Sequence, residues 1–149
     1  MKKLLAAILS LVMLLAPVPA LAASPWYTGA NRIKVLRVID GDTFTFTQNG
    51  GGLNGMVFSV RIKGLDTPEM HGTSPGEREN AQKAKAFLES LVAKNHGYLW
   101  IKGKTHDPYG GRIEATVYLN GPKEVAQMVI EAGLGRAFDV KLGHRTPWC

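Results

Sequence analysis

The chain has 149 residues, 45% of them hydrophobic and 20% charged, with a formal net charge of +6 at pH 7. That length suits one domain rather than several, and Cys149, the only cysteine, excludes an internal disulfide staple. An ordinary hydrophobic core must hold the fold together, and the basic balance favours polyanionic partners.

The N-terminal stretch MKKLLAAILSLVMLLAPVPALAA combines Lys2 and Lys3, an apolar run from Leu4 to Ala16, Pro17 and Pro19, and the small-residue triplet Ala20-Leu21-Ala22. This is the pattern of a secretory signal peptide, residues 1–22, cleaved before Ala23. An uncleaved anchor is the alternative, but the prolines and Ser10 interrupt a run that barely reaches the length of a membrane span. Export to the periplasm or the medium is expected, with no stable membrane association after cleavage. Without Lys2 and Lys3, sixteen basic residues stand against twelve acidic ones, a net charge of +4.

Residues 23–32 form a short leading segment, residues 33–139 the domain and residues 140–149 a tail. From Ile33, IKVLRVI alternates as a strand does, and DTFTFTQ after Asp40-Gly41 is rich in the Thr and Phe that suit a half-buried pleated surface. Asn49-Gly50-Gly51-Gly52 and Asn54-Gly55 supply turn positions before MVFSVRIKGL resumes as a third strand, so the first three strands read as an antiparallel meander. Met70 to Glu77 lacks apolar periodicity and reads as an exposed loop.

ERENAQKAKAFLESLVAKN follows, with Ala81, Ala84, Leu88 and Leu91 at helical spacing. YLWIKG and RIEATVYLN are the next strands, separated by the turn-rich 103-GKTHDPYGG-111. Gly121-Pro122 then opens a short helix, KEVAQMVIEAG, which closes at Gly133. Five strands, with one helix after the third and another after the fifth, predict a mainly β (α+β) fold. The expected architecture is a five-stranded Greek-key barrel of the oligonucleotide-binding (OB) kind with two packed helices.

Three runs carry candidate chemistry. Asp40 and Asp42 flank Gly41 between two strands, and Asp66 follows the third, so three carboxylates can meet at one end of the sheet as hard divalent cations require. Read alone, Asp40-Gly41-Asp42-Thr43 is a turn before it is a metal site. Arg61, five residues before Asp66, has a fork that fits either those carboxylates or a phosphate. Glu69, set by Pro68, is placed as a general base or water-orienting group, or is simply a loop glutamate. Arg112 follows Gly110-Gly111, where the absent side chains would let an anion approach, and Tyr109 beside it is a possible nucleotide contact. His71, His96, His106 and His144 share no metal-ligand spacing.

Together, IDGDT, VRIKGLDTPE and DPYGGR, in this order and with a helix between the second and third, resemble the staphylococcal nuclease (thermonuclease) family over about Ile33 to Asp139. The ending RAFDVKLGHRTPWC is similar to that of a shorter bacterial subgroup that finishes in Trp-Cys, without the long third helix of staphylococcal members. The family pattern has arginine directly after Tyr-Gly, whereas Gly111 intervenes here. Counting back from Val117-Tyr118 still aligns Arg112.

The resemblance implies an OB barrel whose members hydrolyse DNA and RNA with little sequence preference, leaving 3′-phosphate ends. By position it implies that Asp42 and Asp66 bind Ca²⁺ through their carboxylates, with Thr67 giving its backbone carbonyl and Asp40 in support. Arg61 and Arg112 would grip the phosphate, and Glu69 would act on the attacking water. A monomer is expected. The competing reading is a non-catalytic OB-fold module that binds nucleic acid, from which the presence of every matched residue distinguishes this chain.

Overall fold

The computed structural model describes residues 28–47, 55–106, 112–138 and Trp148. The expected signal peptide, the Asn49 to Gly52 turn, Tyr109, Gly111 and Cys149 lie outside the described residues. Among the described residues no helix is long and apolar enough to cross a membrane.

Five strands close into a barrel: β1 (Asn31–Val38), β2 (Thr43–Thr47), β3 (Val57–Ile62), β5 (Tyr98–His106) and β6 (Ile113–Tyr118), in the order β1-β2-β3-β6-β5. The meander of β1, β2 and β3 is antiparallel, as the alternation predicts. Closure comes from β5 pairing antiparallel with both β1 and β6, and from β6 lying parallel to β3. The expected OB-like barrel with two helices is the observed architecture.

Alternation decides which residues fill the interior. Ile33, Val38, Phe44, Phe46, Val60, Ile62, Leu99, Ile101, Ala115 and Val117 are buried and form the barrel core. Helix α1 (Pro75–Lys94) adds Leu88 and Leu91, and α2 (Val125–Glu131) adds Val125, Ala126 and Val129. Ser74 caps α1 by accepting the Glu77 N–H at 3.1 Å, and Pro75 occupies the first turn, where its missing N–H costs nothing. The helix therefore starts two residues before the expected Glu77. It ends at Asn95, whose Nδ2 donates to the carbonyls of Tyr98 and Leu119 at 2.9 and 2.8 Å.

Three expectations are corrected. MVFSVRIKGL is not one strand: Lys63-Gly64 turns the chain, with Gly64 at φ 74, and Leu65–Asp66 becomes a separate strand, β4. That strand pairs with β7 (Arg136–Ala137) in a two-stranded ladder. YLWIKG does not end at Gly103, because a bulge between Lys102 and Thr105 absorbs the extra residues and β5 runs on to His106. The Met70 to Glu77 loop is not exposed throughout: Gly72 is buried, and a β-carbon there would lie 2.3 Å from the Glu77 side chain.

Candidate active site

The site forms where the β1–β2 turn, the end of β3 and strand β4 meet. Within the turn, Asp42 N–H donates to Asp40 Oδ1 at 3.2 Å, and Thr43 Oγ1 donates to Asp42 Oδ1 at 2.8 Å. Ile62 N–H donates to the Asp42 carbonyl at 2.8 Å, which fastens the turn to β3. Gly41 lets the turn press onto α1: a β-carbon there would stand 2.6 Å from the Ala84 β-carbon and 2.9 Å from the Thr67 side chain. The small residues Gly41 and Ala84 thus bring Asp42 and Thr67 onto one patch.

Arg61, opposite Thr43 in the β2–β3 register, points a guanidinium nitrogen at both carboxylates. That Nη2 lies 3.2 Å from Asp42 Oδ2 and 3.9 Å from Asp66 Oδ1. Asp42 and Asp66 are 4% and 1% exposed, so both charges are desolvated. Arg136, across the β4–β7 ladder, donates its Nε to Asp66 Oδ2 at 3.1 Å. Two aromatics back the arginines: the Phe138 ring is 5.8 Å from the Arg61 guanidinium carbon, and the Trp148 ring 4.1 Å from that of Arg136.

Burial pushes the Asp42 carboxyl from 3.8 up to about 7. Arg61 opposes that rise, while the neighbouring Asp40 charge adds to it. Charge compensation at Asp42 is therefore incomplete, and an additional cation beside it would be stabilised. The donors are hard oxygens of the kind Ca²⁺ and Mg²⁺ take. Among the described residues no group of three or more His, Cys, Asp or Glu can hold a metal ion by side chains alone. A cation between Asp42 and Asp66 would need backbone carbonyl and water oxygens to complete its shell, and with those the residues fit.

Thr67 and Pro68 are buried beside Asp66, and Glu69 is half-buried. The Glu69 backbone is held twice, by its N–H on Glu77 Oε1 at 3.3 Å and by its carbonyl accepting from Gly72 N–H at 2.9 Å. Arg78 Nη1 donates to the Gly72 carbonyl at 2.8 Å, so the whole 69–72 turn is tied to the first turn of α1. Arg112 stands at the head of β6, two residues before Glu114, which is opposite Arg61 across the parallel β3–β6 pair. Strand alternation puts Arg112 and Glu114 on the face that Arg61 shares.

Arg61 thus joins Asp42 to Asp66, with Asp40 one hydrogen bond behind; Thr67 and Glu69 follow Asp66 in the chain, and Arg112 precedes β6 on the face that Arg61 shares. Tyr109 and the Gly111 insertion lie outside the described residues. Sequence reasoning did not single out Arg136, Phe138 or Glu77. Arg136 and Phe138 sit at a two-residue strand with no period to detect. The S-P-G-E run from Ser74 to Glu77 is a capping-box signal, but its glutamate side chain reaches to Glu69.

Residues 59–146 match the protein family described as staphylococcal nuclease homologue. Over 134 residues the chain is 28% identical to a protein of Podospora anserina named probable endonuclease LCL3, covering 74% of this chain and 47% of that protein. Over 93 residues it is 29% identical to an uncharacterized lipoprotein of Mycoplasma pneumoniae, covering 59% of this chain and 29% of that protein. The chain spans about half or less of the length of these curated relatives.

Proposed function

The chain belongs to the staphylococcal nuclease homologue family, and from that premise we propose that it is an exported, Ca²⁺-dependent endonuclease, secreted or periplasmic and monomeric. It would hydrolyse DNA and RNA with little sequence preference and leave 3′-phosphate ends. The observation that carries the reading is Arg61 set against two buried carboxylates, Asp42 and Asp66, at one end of the barrel.

Asp42 and Asp66, with the Thr67 carbonyl, would hold the cation, which when bound supplies positive charge for the phosphate oxygens. Asp40 accepts the Asp42 N–H and so supports the turn that presents the Asp42 carboxylate. Arg61 has five N–H donors in a planar fork, enough to face the carboxylates with one nitrogen and a phosphate with the rest. Arg112 would grip the same phosphate from β6. Charge that grows on the phosphoryl oxygens is stabilised by these fixed donors, each typically contributing about 3 kcal/mol.

Glu69 would orient or deprotonate the water that attacks phosphorus, its backbone being held by Glu77 and Gly72. The new bond joins the water oxygen to phosphorus, the bond to the 5′ oxygen breaks, that oxygen takes up a proton from solvent or from protonated Glu69 and leaves as a 5′ hydroxyl, and the phosphate stays on the 3′ side. Digestion of plasmid and of RNA with Ca²⁺, Mg²⁺ or EGTA, followed by end-group analysis, tests this reading. Ca²⁺-dependent cleavage giving 3′-phosphates is expected, and undiminished turnover in excess EGTA would remove the calcium assignment.

A further inference from the structure

Away from Arg61, the outer face of β1, β5 and β6 has a different chemistry. Ile33, Leu99, Ile101, Ala115 and Val117 point into the core, so the pleat turns Arg32, Lys34, Tyr98, Trp100, Lys102 and Tyr118 outward. The strand register aligns them. Arg32 stands opposite Trp100, and Trp100 opposite Tyr118, giving a basic and aromatic row across three strands. Lys34 stands opposite Tyr98 in the next row, and the Arg32 guanidinium lies over the Tyr98 ring, 3.9 Å from its centroid.

A recess of about 410 Å³ opens here, lined by Arg32, Asn95, His96, Trp100 and Asn120. Its wall is fixed in advance, because Asn95 Nδ2 is committed to the Tyr98 and Leu119 carbonyls. On the β6 side, Glu124 bridges to Tyr118, so the cationic stretch runs from Trp100 towards β1. From Arg112 to Tyr118 along β6 is roughly 20 Å at about 3.3 Å per residue, so the recess is separate from the Asp42–Arg61 site.

We propose that this face is a second nucleic-acid site, taking an unpaired nucleotide of a single strand. The base would stack on Trp100 in the recess, with Asn120 at its edge, and the neighbouring phosphates would meet Arg32, Lys34 and Lys102. Aromatic rings interleaved with cations on a sheet face are the complement of single-stranded nucleic acid, since every base offers a π-face and every linkage a charge. A duplex hides its bases and would not use the recess. A single strand that occupies both places must span that separation of roughly 20 Å. The choice of ligand rests on the nuclease reading.

The test compares binding of labelled 16-nucleotide single strands, duplexes and heparin in EDTA, together with cleavage in Ca²⁺ of a dinucleotide, which is too short to reach the recess. Trp100→Ala should weaken single-strand binding about five- to a hundredfold, and Trp100→Phe should recover most of it. Arg32→Ala, which leaves the core untouched, should weaken it and lower the salt slope by about one. Duplex binding and dinucleotide cleavage should stay at wild-type levels. The proposal fails if Trp100→Ala and Arg32→Ala bind the 16-mer as wild type does, or if losses on duplex and heparin match those on the single strand. A wild-type chain that cuts neither DNA nor RNA while Trp100→Ala still selectively weakens the 16-mer would refute the nuclease reading and support the site.

Discussion

Asp42 makes the stability of the cation-free protein depend on pH in a direction opposite to that of most paired carboxylates. Burial raises its folded pKa to about 7, above the ordinary value of 3.8. Between those values the folded state therefore holds a proton that the unfolded chain has released. Asp42 contributes fully to stability below about pH 4, and that contribution is lost as pH rises through about 7. The slope in this window reaches at most about 1.4 kcal/mol per pH unit, and the total is on the order of a few kcal/mol. Asp42→Asn keeps an oxygen for the Thr43 hydroxyl but cannot ionise, so its profile should be flat where that of wild type falls. Urea unfolding of both proteins in EDTA at pH 5.5, 7 and 8.5 measures the difference. The variant should gain relative to wild type as pH rises, and added Ca²⁺ at a hundred times its Kd should return about 2.7 kcal/mol to wild type. Parallel curves for the two proteins would refute the argument.

Arg112→Ala should lower turnover by about a hundredfold or more with an unchanged circular dichroism spectrum; near wild-type cleavage would remove Arg112 from the site. Glu77→Ala should reduce kcat about tenfold with little change in KM, because it releases the Glu69 backbone, and Glu77→Gln, which keeps the acceptor oxygen, should restore it. Equal losses in the two Glu77 variants would show that charge rather than the tether matters. Gly41→Ala forces a β-carbon to 2.6 Å from Ala84, so about 1–3 kcal/mol of stability should be lost. An unchanged Tm would mean that the turn does not rest on α1 as described.

Much of this was legible in the chain because it has a period. TFTFT and VFSVRI alternate cleanly, and Ala81, Ala84, Leu88 and Leu91 repeat at helical spacing, so the meander and α1 follow from local pattern. The parallel closure of β6 on β3 joins residues some fifty positions apart, which no local signal encodes. The β4–β7 ladder is two residues long on each side, too short for alternation to register. For that reason Arg61 and Leu65 read as one strand when a turn at Gly64 divides them, and Arg136 as a partner of Asp66 went unseen. Asp42, Arg61 and Asp66 were legible as a set because their types and order form a motif, although each run alone is an ordinary turn or strand end. Glu77 was hidden by its own capping role, since a helix N-terminus accounts for a glutamate at that position without reference to Glu69.

Phosphodiester cleavage is proposed to depend on Arg61 and the carboxylates around it. Plasmid digestion by wild type and Arg61→Ala, side by side in Ca²⁺ and matched for folding by circular dichroism, measures that dependence. Wild type should nick and then degrade the plasmid to fragments ending in 3′-phosphate, while Arg61→Ala loses at least about a hundredfold in rate. Near wild-type cleavage by folded Arg61→Ala, or no cleavage by wild type, would contradict the account.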